Sequence, residues 1–166
     1  MKYKYNDGGR KDAGYKGHAG DCVPRAIIIA NGLGYRQTRK ELDAKAVEMT
    51  GGLCQSTQNG TPAPVAHSYL VGLGWEAVPM VGASITEVPT KGTFIISVKT
   101  KSHYTCMIDG VINDTWRCHE TLRTKNKKAN ILGYYRKKSP KYSSMPVVTV
   151  TEEQAEKYKL GRFTPY

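Results

Sequence analysis

The hydrophobic period changes near Gly74, and that change restricts what the chain can build. Before it, apolar residues recur at helical spacing; after it come short runs rich in β-branched and aromatic residues, "WEAVPMV", "TFIISVKT", "HYTCMID", "VINDTW" and "NILGYYRKK". Helices followed by strands predict an α+β fold with an antiparallel sheet. The first helix is expected over Val23 to Ala30, with Pro24 in its first turn, Ile27, Ile28 and Ile29 apolar on almost every side, and Gly32 as its stop. Such a helix belongs in the core. A second is expected to open at Thr38 with Glu41 completing a capping box, and to carry Leu42, Ala46 and Met49 on one face as far as Gly51. A third follows Thr61, with Pro62 and Pro64 in its first turn and Val65, Tyr69 and Leu70 facing inward.

With 166 residues the chain suits one domain. The folded part is placed at 17–138, preceded by an irregular Gly- and Lys-rich arm over 1–16. It is followed by a basic tail over 139–166, with a short helix around "TEEQAEKYKL". The net charge of +11 is uneven, with twelve Lys/Arg against four Glu from Arg117 onward. This basic C-terminal half could dock an acidic partner or nucleic acid, with Tyr134 and Tyr135 stacking and Arg136, Lys137 and Lys138 neutralising phosphates. A solvated surface gives the same pattern. No apolar run has the length of a signal peptide or membrane span, so no membrane partner is expected. Cys22, Cys54, Cys106 and Cys118 form no C-x-x-C pair, which points to free thiols in a reducing cytoplasm. No cofactor is called for. Cys118 and His119 could approach His103, but no fourth ligand has sensible spacing for a metal.

The chemistry centres on "GDCVPRA", where Cys22 stands at the entrance of the first helix. A helix N-terminus favours a thiolate, and a thiolate nucleophile needs a base and a group to orient that base. Of the four histidines, His103 starts an apolar strand. Asp109-Gly110 is a favoured two-residue hairpin turn, so Ile108 should pair with Val111 and Thr105 with Asp114. Side chains alternate along a strand, so Asp114 shares a face with His103 while Asn113 and Cys106 take the other. A three-residue turn would make Asn113 the partner instead.

The order Cys22, His103 in "SHYTCMIDG", then Asp114 in "DTW" resembles the papain-like cysteine peptidases. The resemblance covers about Gly17 to Arg136. It implies a papain-like α+β domain with Cys22 as nucleophile, His103 as base, Asp114 as orienting residue and Trp116 as the shield of the His103–Asp114 contact. The implied activity is hydrolysis of a peptide, isopeptide or other acyl bond in a protein or peptide substrate. An acyl transferase and a non-catalytic binding module are the alternatives. The framing "YNDGGR…AGYKGHAGDCVPRA" and "GVINDTW" is also similar to proteins of bacteria and their phages, which implies the cytoplasm of a bacterial or phage-infected cell. The family's oxyanion-hole Gln is missing: its neighbourhood reads Lys16-Gly17-His18. The Cys22 N–H offers one donor, and His18, Lys16 or Asn6 a second. Asp21 disfavours a thiolate beside it unless it caps the helix or pairs with Arg25.

Overall fold

A computed structural model describes residues 1–99, 102–120 and 131–138. Three α-helices, α1 (Cys22–Asn31), α2 (Tyr35–Met49) and α3 (Ala63–Gly72), precede most of a six-stranded sheet. Its strands are β1 (Lys2–Tyr5), β2 (Trp75–Pro79), β3 (Thr93–Val98), β4 (His103–Ile108), β5 (Val111–Asp114) and β6 (Ile131–Lys137), in the spatial order β1-β5-β4-β3-β6-β2. A single 3₁₀ turn, Ile85–Glu87, lies between β2 and β3.

The α+β class is as the period change implies, but the sheet is mixed. The segment expected as an irregular arm supplies β1, which pairs in parallel with β5, Tyr5 opposite Asp114. "KYKY" holds only four residues, too few for alternation to stand out, and its Lys side chains suit an edge strand. The expected tail lies outside the described residues.

Helix α1 begins at Cys22, and Gly32 closes it in the left-handed conformation, its N–H bonded to the Ile28 carbonyl. Val23, Ala26, Ile27 and Ile28 are buried, and Ile29 is half-buried. Helix α2 starts three residues before Thr38, and no side chain caps it. The expected capping box therefore does not form: Thr38 is buried within the helix, and Glu41 accepts hydrogen bonds from Gln37 Nε2 and the Tyr69 hydroxyl. Glu41 three residues after a Thr fits an exposed helical turn as well as a cap. Helix α3 keeps Val65 and Leu70 inside, with Tyr69 half-buried and tied to Glu41.

Two apolar clusters cover the two faces of the sheet. One joins Val23, Ile27, Leu42, Ala46, Val65 and Leu70 of the helices to Trp75, Ile95, Tyr104, Cys106 and Tyr135. The other gathers Phe94, Ile96, Val98, Met107, Ile112 and Ile131 beneath Ile85, Val88 and Cys118. Complete burial of a Leu or Ile contributes roughly 1.5–3 kcal/mol, so these clusters hold the frame on which the site rests. Tyr134 and Tyr135 belong to them at 6% and 1% exposure, because β6 is an interior strand. They are therefore not available to stack on a nucleic-acid base.

Candidate active site

The β4–β5 hairpin sets the geometry. Asp109 and Gly110 both have positive φ, 46° and 75°, the signature of a two-residue type I′ turn. The register follows: Ile108 faces Val111, Met107 faces Ile112 and Cys106 faces Asn113. Asp114 thus projects on the face of His103, and His103 Nε2 lies 2.5 Å from Asp114 Oδ2. Asn113 is turned away, its side-chain amide donating to the Val111 carbonyl at 3.0 Å. The second carboxylate oxygen of Asp114 accepts the Thr115 N–H at 2.7 Å. From the other side β1 braces the same residue, since the Asn6 N–H and the Tyr3 hydroxyl both donate to the Asp114 carbonyl, at 2.9 and 3.0 Å.

With Nε2 taken by Asp114, Nδ1 remains as the ring atom that can exchange a proton with a thiol. Two thiols interact with His103, that of buried Cys118 and that of Cys22, which is half-buried at the start of α1. Burial by itself raises the pKa of Cys22. Hydrogen bonding to His103 and to the Tyr104 backbone, with the charges of His103 and Arg25, outweighs burial and holds the thiol below its ordinary value. Burial works against the charged form of His103 too, but hydrogen bonds to Asp114, Cys118 and Cys22 and the charge of Asp114 raise its pKa well above the usual value. The two directions share one cause, since each group favours the charged form of the other. Trp116 stands edge-on to the imidazole, ring centroids 5.1 Å apart.

Asp21 does not cap the helix through its side chain. Its fully buried carboxylate receives Arg25 Nη1 at 2.5 Å, pairs with Arg10 Nε at 3.1 Å and accepts the Tyr35 hydroxyl. Two guanidinium groups around one carboxylate leave a local excess of positive charge, which answers how Cys22 can ionise beside an acid. Arg10 and Tyr35 are additions that sequence reasoning missed. A buried Arg has no local signature, because it is stable only beside a carboxylate that folding brings to it.

These residues border an open cleft of about 980 Å³, lined among others by Tyr5, His18, Cys22, Asn59, His103 and Trp116. Of the three residues considered as oxyanion donors, exposed His18 lines it, whereas Lys16 and Asn6 do not. The Lys16 carbonyl is bound by Arg10, and Asn6 Oδ1 accepts the Gly8 N–H. The cleft is tight at one point: a Cβ on Gly20 would lie 2.8 Å from the Asn59 carbonyl carbon.

Cys118 lies with His103 and Asp114 in a cluster whose ligand atoms are within 4.8 Å of one another. Two donors on one zinc, each about 2.0–2.1 Å from it, sit roughly 3.3 Å apart in tetrahedral geometry. The 2.5 Å separation of His103 and Asp114 suits a shared proton. Cys106 is fully buried, and Cys54 is half-buried with its thiol 3.6 Å from the Ser56 carbonyl oxygen. No helix among the described residues is long and apolar enough to cross a membrane. Compared with family models, curated proteins and solved structures, the chain matches none.

Proposed function

We propose that the protein is a cysteine hydrolase of papain-like arrangement, acting on a peptide, isopeptide or other acyl bond. The observation that carries this reading is the position of His103, hydrogen-bonded through Nε2 to Asp114 and lining, together with Cys22, the same open cleft. The Cys22 thiolate attacks the carbonyl carbon, and the His103 imidazolium gives its proton to the leaving amine or alkoxide. A thioester forms. Neutral His103 then takes a proton from water, the hydroxide equivalent attacks the thioester, and the thiolate leaves as the acid product departs. Asp114 fixes the imidazole and stabilises its cation throughout. Trp116 keeps bulk water from their contact.

The test needs no substrate. Limiting iodoacetamide at pH 6 to 7, followed by peptide mass spectrometry, should label Cys22 ahead of Cys54, Cys106 and Cys118, and His103→Ala should slow that labelling. Preferential labelling of Cys54 or Cys118 would overturn the reading, and salt-sensitive retention on nucleic acid without thiol reactivity would return the chain to the binding modules.

A further inference from the structure

The missing Gln leaves the second oxyanion donor unassigned, and the 15–18 segment offers a replacement. Arg10 is 9% exposed and spends its guanidinium on three successive carbonyls: Nη1 donates to Tyr15 at 3.3 Å and Gly17 at 3.0 Å, and Nη2 to Lys16 at 3.0 Å. The planar fork suits this convergence, and Asp21 holds it from behind. In a trans peptide unit the C=O and the following N–H point in opposite directions. Turning the carbonyls of residues 15–17 onto Arg10 therefore turns the N–H groups of Lys16, Gly17 and His18 away from it. None of these three donates a hydrogen bond to another described residue. Gly17 and His18 line the cleft beside Cys22, and Gly17 holds the turn at φ 73°. The segment is braced further by Tyr15, packed on Tyr35 with ring centroids 5.1 Å apart and covered by the guanidinium of Arg39.

We infer that the backbone N–H groups of Gly17 and His18 supply the donor that complements the Cys22 N–H, and that Arg10 is the positioning residue that aims them. The group they receive is the carbonyl oxygen of the acyl substrate as it becomes an oxyanion. The assignment rests on the cysteine hydrolase reading. A backbone donor fixed by a buried ion pair needs no side-chain ordering when the substrate binds, which is the quality electrostatic stabilisation requires.

The experiment compares two reactions of the same thiol. Iodoacetamide alkylates Cys22 by displacement of iodide, with no tetrahedral oxyanion. p-Nitrophenyl acetate transfers its acetyl group to Sγ through such an oxyanion and releases p-nitrophenolate. Both need the thiolate, so the ratio of their rates isolates the oxyanion step. In Arg10→Ala that ratio should fall about 10²-fold, the usual effect of losing one such donor, and Arg10→Lys should recover part of it. Gly17→Ala has open space for its methyl but strains the positive φ, so it tests the turn without touching the ion pair, and the ratio should fall there too. Ratios unchanged in both folded Arg10→Lys and Gly17→Ala would overturn the assignment while leaving the hydrolase reading intact. Loss of preferential Cys22 alkylation in the parent protein would instead remove the hydrolase reading itself.

Discussion

Cys22 and Cys106 pack against the same apolar cluster, yet their surroundings drive them in opposite directions. Cys106 sits in mid-strand at 0% exposure, and burial, with the charge of Asp114 adding to it, pushes its thiol up to about 12. Cys22 carries a burial penalty too, but it lies where the helix begins, with an imidazole and Arg25 close by, and its thiol is lowered. A carboxylate therefore suppresses one thiol directly and promotes the other through a histidine. Apolar packing alone raises a thiol; an imidazole and a guanidinium at the rim of that packing lower it.

The strongest way to break this contrast is to remove the acceptor. His103→Ala should slow alkylation of Cys22 at pH 7 by about 10²-fold, within the range usual for loss of an acid–base partner, and leave Cys106 protected until the protein unfolds. Labelling followed through a urea titration checks both thiols at once. If Cys106 reacts in the native state as fast as Cys22, the contrast is gone.

Asp114 sharpens it next. Asp114→Ala should lower Cys22-dependent acyl transfer by at least tenfold, Asp114→Asn less, because an amide oxygen still accepts from the imidazole, and Asn113→Ala least. Steady-state release of p-nitrophenolate ranks the three. An Asn113→Ala defect equal to that of Asp114→Ala would contradict the observed register.

The N-terminal strand gives a smaller, structural effect. Removing residues 1–6 deletes β1 and the two donors to the Asp114 carbonyl, so Cys22-dependent acyl transfer should fall severalfold and thermal stability should drop, read by p-nitrophenolate release and by circular dichroism.

The smallest expected effect is on pH dependence. The folded pKa of His103 lies above its unfolded value of 6.5, so its contribution to stability is full below 6.5 and is lost as pH rises through the folded value of about 11. Cys22, lowered in the fold, contributes in the reverse sense: its stabilisation is present above its unfolded value and is lost as pH falls through the folded one. The two oppose each other between 6.5 and the unfolded Cys22 value of 9.0, so urea midpoints should fall chiefly above pH 9, and that alkaline fall should flatten in His103→Gln.

Much of this site was legible before any coordinates. Cys22 is marked by a helix start, His103 by a strand start, and Asp114 by an Asp-Gly pair that favours the two-residue turn, with Asn113 as the partner had the turn held three. These are local signals, since propensity, alternation and turn chemistry act over a few residues. The same local logic failed at Thr38, where a capping pattern sat within a longer helix, and at Tyr134 and Tyr135, where an exposed basic strand was expected and an interior strand is found.

The sequence by itself determined the three helices ahead of the later strands, the favoured two-residue hairpin turn and the candidate site residues. Only the tertiary structure decided that Lys2–Tyr5 closes the sheet edge against β5, that Asp21 is neutralised by Arg10 and Arg25, and that Arg10 gathers the carbonyls of residues 15–17. The physical reason is the same in each case. A buried charge or an edge strand is stable only with its partner present, and that partner's identity lies in three-dimensional proximity, not in the residues beside it.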